Sequence, residues 1–105
     1  MAKAKPIQFN WDTARAERNL EKYGVSFDHA ITVFKDPLAL YYDDPEHSQK
    51  TKRELVIGKS KTSEKLLTCF FERSEGAIEI ISVRASTHGE RGHYDDNSES
   101  EYELE

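Results

Sequence analysis

Cysteine is almost missing from this chain: Cys69 is the only one among 105 residues, so no internal disulfide can staple the fold. It stands inside the apolar run Leu66–Phe71, which predicts a buried thiol in a reducing compartment and hence a cytoplasmic protein. Long apolar runs are missing as well. No stretch approaches the roughly 20 residues of a membrane-spanning helix, and no charged, apolar and small-residue blocks spell a secretory signal. No membrane partner is expected. Glycine-rich phosphate loops, Cys/His sets at zinc spacing and Ser-His-Asp arrangements are also lacking, so neither a metal nor a cofactor is expected. The four histidines, His29, His47, His88 and His93, are scattered, and only the last two are close in sequence.

A strongly basic body is the remaining absence. The net charge is −5, but its location matters more than its size. All 15 Lys and Arg lie in residues 1–94 against 14 Asp and Glu, leaving that part at +1, while the other 6 acids lie in residues 95–105. A whole-domain electrostatic footprint for nucleic acid is therefore excluded, and any RNA site must be a local patch. The length suits one domain with one modest core. Residues 1–94 are expected to form it, and 95–105 have the composition of a disordered, acidic tail.

What is present reads as an α+β fold. After a polar lead-in, Met1–Pro6, Ile7–Phe9 suit a short edge strand. Asn10 or Asp12 can cap a helix with Trp11, Ala14, Ala16, Leu20 and Tyr23 near one stripe, and Gly24 supplies its left-handed stop. Ser26 is placed to cap a second helix, in which Phe27, Ala30, Ile31 and Phe34 follow helical spacing up to Asp36-Pro37. Leu38–Tyr42, Arg53–Ser60, Lys65–Arg73 and Ala77–Ala85 are strand-like, and the short connectors predict an antiparallel meander. Thr87-x-x-Glu90 has capping-box spacing and predicts a short C-terminal helix to Tyr94. The expectation is two N-terminal helices packed on an antiparallel sheet of about four strands.

The informative polar feature is arginine near strand ends: Arg53, Arg73 and Arg84. Cleaving RNA through its own 2′-hydroxyl needs a base, charge stabilisation for the pentavalent phosphorane, and an acid for the leaving oxygen. Guanidinium suits the second task and imidazole the first or third. The plainer reading is that these arginines pair with nearby acids such as Glu54, Glu72 and Glu79, as surface ion pairs commonly do. Meander geometry groups His47, Arg53 and Arg73 at one end of the sheet. Arg84, placed opposite Leu66, falls at the other end with Lys59, Lys65 and His88, roughly 20 Å or more from Arg73.

The segments Phe9-Asn10-Trp11-Asp12, Lys22-Tyr23-Gly24-Val25-Ser26-Phe27, Phe34-x-Asp36-Pro37, Asp44-x-x-His47-Ser48, Arg53 to Ile57-Gly58, Glu72-Arg73, Ile80-Ile81-Ser82-x-Arg84, Glu90-Arg91 and Tyr94 occur in order and resemble the BrnT toxin family. The resemblance implies a RelE-like fold and a metal-independent ribonuclease that inhibits translation. It implies neutralisation by a cognate BrnA-like antitoxin, through which alone DNA is contacted. It places His47, Arg53, Arg73 and Arg84 at catalytic positions, with Lys22, Lys59, Lys65 and His88 expected to bind RNA. Two departures stand out: Tyr23 where the family usually has histidine, and Ala85-Ser86-Thr87-His88-Gly89 where it is usually more basic. Both remove positive charge or titratable groups, so the alternative is a weak or inactive toxin-like module that still binds its antitoxin.

Overall fold

The computed structural model of the protein describes the backbone of residues 7–47 and 52–103 and the side chains of 7–46 and 52–96. The lead-in Met1–Pro6 lies outside the described residues, as do Ser48, the His47 side chain and the last two residues of the acidic tail. The elements run β1 (Gln8–Asn10), α1 (Thr13–Tyr23), α2 (Phe27–Val33), β2 (Leu40–Asp43), a 3-10 turn (Pro45–His47), β3 (Arg53–Lys59), β4 (Leu66–Ser74), β5 (Ala77–Ala85) and α3 (His88–Glu103).

Local signals explain most boundaries. The Asp12 carboxylate accepts from the Ala14 N–H and opens α1, and Gly24 at φ 71° closes it, a left-handed conformation that glycine adopts without Cβ strain. Ser26 holds the N-cap position of α2 with extended backbone, but its hydroxyl makes no capping bond. The capping box forms in full: Glu90 N–H donates to Thr87 Oγ1 at 3.2 Å, and Thr87 N–H donates to Glu90 Oε1 at 2.8 Å. Helical backbone continues from there past Tyr94 to Glu103, through most of the acidic stretch.

The sheet has five strands in the order β1-β5-β4-β3-β2, and it is mixed rather than antiparallel throughout. The central meander has the expected pairing, but β1 joins as a parallel edge strand, Gln8–Asn10 beside Ala77–Glu79. The expected count of about four strands is thereby corrected to five. A parallel partner this distant in sequence leaves no hairpin signature to read.

Strand alternation gives the sheet two different faces. Val56, Leu67, Cys69, Phe71, Ile78, Ile80 and Val83 turn toward α1 and α2 and make the core with Phe27, Ala30 and Val33. Phe34 meets Phe71 edge-on at 4.9 Å between ring centroids. Burial pushes the Cys69 thiol pKa up, which keeps it a neutral packing group. Close approach of α2 to β3 requires Gly58, because a Cβ there would lie 2.8 Å from Val33 Cγ1 and 3.2 Å from Ala39 Cβ. The opposite face carries Arg53, Leu55, Ile57, Thr68, Phe70 and Glu72, and α3 begins across it. The Glu90 carboxylate accepts from Thr68 Oγ1 at 2.8 Å, and the Tyr94 hydroxyl donates to Asp36 Oδ2 at 2.8 Å.

A β-bulge decides which face receives the end of β5. Pairing passes from Phe71↔Ile80 to Phe70↔Ser82, leaving Ile81 as an extra residue. One extra residue inverts every later side chain. Val83, not Ser82 or Arg84, therefore joins Ile80 in the core, and Arg84 emerges on the α3 face opposite Thr68.

Beyond Glu79 the outer edge of β5 has no strand partner among the described residues. Instead Asn19 of α1 takes that place: its amide donates to Val83 O at 2.9 Å and its carbonyl accepts from Val83 N–H at 3.0 Å. The same amide donates to Val25 O at 2.9 Å, so one buried side chain pins α1 to the sheet and to the turn before α2.

Candidate functional site

The three strand arginines do not converge. Arg53 and Arg73 lie at one end of the sheet, but Arg53 is opposite Glu72, so its near neighbour Arg73 points from the other face. Arg53 pairs with Glu72 at 3.0 Å on the α3 face. Arg73 pairs with Glu54 at 3.0 Å on the α1/α2 face, its guanidinium 5.5 Å from the centroid of Phe71. The expected group of His47, Arg53 and Arg73 is thus split across the sheet, since a one-residue step on a strand reverses the side-chain direction. His47 ends the 3-10 turn whose neighbour Asp44 donates its N–H to Arg53 O at 2.8 Å, so its backbone is at this end.

Arg84 is in different company. The two-residue turn at Glu75-Gly76 and the bulge each move its partner by one residue, from the expected Leu66 to Thr68, and the bulge places it on the same face as Arg53. Four residues along β4 and two strand spacings still separate them by roughly 16 Å. In these ion-paired conformations they cannot hold one phosphate together. The Arg84 guanidinium lies 5.3 Å from the Phe70 centroid and makes two bonds to Glu90, Nη1 to Oε1 at 2.7 Å and Nη2 to Oε2 at 2.9 Å. Burial by itself would raise the Glu90 pKa; bonds from Arg84, the Thr87 N–H and Thr68 outweigh it and hold the pKa at about 2. The Glu90 hydrogen bond in turn raises the Arg84 pKa. A carboxylate held by a planar fork occupies the geometry that a phosphate would take.

The other expected RNA contacts flank this end. Lys59 pairs across the ladder with Leu66, Lys65 lies in the β3–β4 turn, and His88 opens α3; all three are exposed. The Lys59 N–H is taken by Asp36 Oδ2 at 2.8 Å, and the Lys59 side chain lines a groove with Asp36, Pro37, Ser60, Lys61 and Glu64, which mixes both signs. Lys22 lies on α1 with its ammonium 5.2 Å from the Tyr23 ring centroid, and the Tyr23 phenol bears electrostatically on Arg84. The residue departing from the family pattern therefore lies within electrostatic reach of Arg84.

A second set of cations accompanies Lys22. A groove of about 340 Å³ between α1 and β5 is lined by Arg15, Arg18, Asn19, Lys22, Tyr23, Ile81 and Ser82, with no carboxylate among them. Arg15 and Arg18 are absent from the sequence-based expectation, which weighed arginines on strands. The readable signal is their spacing with Lys22, i, i+3 and i+7, which marks one side of a helix. Among the described residues no three His, Cys, Asp or Glu side chains are grouped as a metal site, and no helix is long and apolar enough to cross a membrane.

Comparison with known proteins adds a family. The model of a family described as the ribonuclease toxin, BrnT, of type II toxin-antitoxin systems matches residues 11–90. That range includes α1, the bulge, Arg84 and Glu90. No curated protein matches the chain.

Proposed function

The chain belongs to the BrnT family of ribonuclease toxins from type II toxin–antitoxin systems, and from that premise we propose that it is a metal-independent endoribonuclease that inhibits translation. Its cognate partner is a BrnA-like antitoxin that covers the Arg84 face and contacts DNA on behalf of both proteins. The observation that carries this reading is the family match over 80 residues. The setting of Arg84 supports its chemistry. A guanidinium already oriented for bidentate binding and backed by the Phe70 ring is suited to the charge of a phosphorane. We assign Arg84 to the scissile phosphate, with Lys22 beside it, and Arg53 and Arg73 to cross-strand ion pairs within the fold. We assign proton transfer to Tyr23, at the end of α1 near Arg84. His47, the position the family resemblance favours, has its backbone at the Arg53 end of the sheet, away from Arg84, and is the alternative that the experiment tests.

Expression in growing bacteria tests the reading. Wild type should arrest growth and cleave RNA in vitro with chelator present, and Arg84→Ala should relieve the arrest. Tyr23→Phe measured beside His47→Ala shows which group moves the proton. Harmless wild-type expression with uncut RNA would defeat the nuclease assignment.

A second reading has its own observation. Arg53, Arg73 and Arg84 each hold a carboxylate, as guanidinium groups do in a purely structural role. On that reading the chain is a weak or inactive toxin-like module. It binds its antitoxin, leaves RNA intact, and gives the same growth with or without Arg84.

A further inference from the structure

Arg15, Arg18 and Lys22 are spaced along about 10 Å of α1 and share one side of the helix. Lys22 lies by the Tyr23 ring; among the described residues neither Arg15 nor Arg18 has an ion-pair partner, and the buried Arg15 Nε has no hydrogen-bond partner. Every strand arginine is neutralised, whereas these helix cations are not. The groove they line is open and carries a hydroxyl, Ser82, and an exposed aromatic, Tyr23, at its Arg84 end. Ser82 and Arg84 follow the bulge two residues apart, so they share a face and the groove leads to Arg84. Other grooves differ in sign. One holds Glu17 and Asp28 with no cation, and another combines Asp36 and Glu64 with Lys59 and Lys61.

We propose that the α1–β5 groove is a second phosphate-binding subsite, in which Arg15 and Arg18 hold the RNA backbone adjoining the phosphate at Arg84. The inference rests on the ribonuclease reading and adds the path of the substrate strand. Unpaired cations in an open groove with an aromatic at one end are the arrangement by which proteins track a single strand. Neither arginine touches the reacting phosphate, so both bind substrate without serving chemistry. Their loss weakens binding and leaves the chemical step alone.

The test uses the full chain, wild type and Arg15→Gln, Arg18→Gln and the double variant, with Lys35→Gln as a charge-matched control. Cleavage kinetics are measured on a single-stranded RNA, and binding on its uncleavable 2′-O-methyl counterpart across a salt series. The double variant should raise KM about 10-fold or more with kcat within about 2-fold. The slope of log K against log salt should fall by about 0.7 for each cation removed. Arg15→Lys should restore most of the affinity, which repair of packing alone would not explain. Arg18 is exposed, so its variant remains informative if Arg15→Gln lowers the melting temperature.

Equal KM and equal salt slope in wild type and double variant would overturn the proposal while leaving the nuclease intact. A wild type that fails to cut RNA yet binds it through Arg15 and Arg18 would overturn the nuclease reading and uphold the groove. A wild type that neither cuts RNA nor binds the 2′-O-methyl strand would overturn both. If the variants keep RNA affinity and lose only binding to poly-glutamate, the groove serves an acidic polypeptide and the proposal fails.

Discussion

Arginine on the strands and arginine on the first helix have opposite fates in this protein. On the sheet, antiparallel register sets Arg53 opposite Glu72 and brings Arg73 diagonally beside Glu54, so each guanidinium meets a carboxylate within about one strand spacing. On α1, the 100° step per residue puts Arg15, Arg18 and Lys22 on one side and sends Glu17 to the groove with Trp11 and Asp28. Nearly equal numbers of cations and acids therefore yield a neutral sheet end and a positive groove. Local geometry, and not net charge, makes the surface polar in sign. Arg84 belongs to both regions: it is paired like a strand arginine, yet it opens onto the helix cations.

The sharpest way to break this contrast is Arg84→Ala. Loss of a group that stabilises the transition state should cut kcat/KM for RNA by about 10²–10³, read in the chelator-containing cleavage assay. An effect no larger than that of Arg73→Gln would erase the distinction between the two regions. Next in size is Asn19→Ala, which strips Val83 of both its edge hydrogen bonds and loosens α1 from β5. Stability should fall by about 2–3 kcal/mol in urea unfolding, with RNA affinity falling alongside because the groove is built from those two elements.

Glu90→Gln should cost about 1–2 kcal/mol, since it weakens the bonds that fix α3 and Arg84. Its pH dependence carries a sign. The folded pKa of Glu90 is depressed from 4.5 to about 2, so its contribution is complete above about 4.5 and is lost as pH falls toward 2. Acid unfolding of wild type should steepen in that window, and Glu90→Gln should flatten it. The smallest effect is expected at the other end of the sheet. Arg73 is half exposed beside Glu54, so Arg73→Gln should change stability by less than about 1 kcal/mol and cleavage by less than about 2-fold. A larger loss of cleavage would move the active site to that end.

Much of the fold was legible because its signals are local. Asp12, Gly24 and the Thr87/Glu90 pair mark helix ends through bonds within a few residues, and they do so in the structure. The meander was legible from its short turns, which also put Arg53 and Arg73 at one end of the sheet. The parallel seat of β1 was not, because its partner lies some seventy residues away. The bulge at Ile81 was not either, because apolar Ile80 and Ile81 give no sign of which is the extra residue. Splitting Arg53 from Arg73 needed only strict period-2 counting, and the α1 stripe only helical counting. Both are periodicities that the sequence carries by itself.

By itself, then, the sequence determined the helices, the meander and the family, because caps, turns and ordered motifs act over a few residues. Tertiary structure alone decided which face Arg84 occupies and how α1, with its cations, is seated against the edge of β5. Those depend on one inserted residue in β5 and on a buried Asn19 amide taking the place of a strand. Both are effects of packing between distant segments, and a single step of register along a strand reverses them.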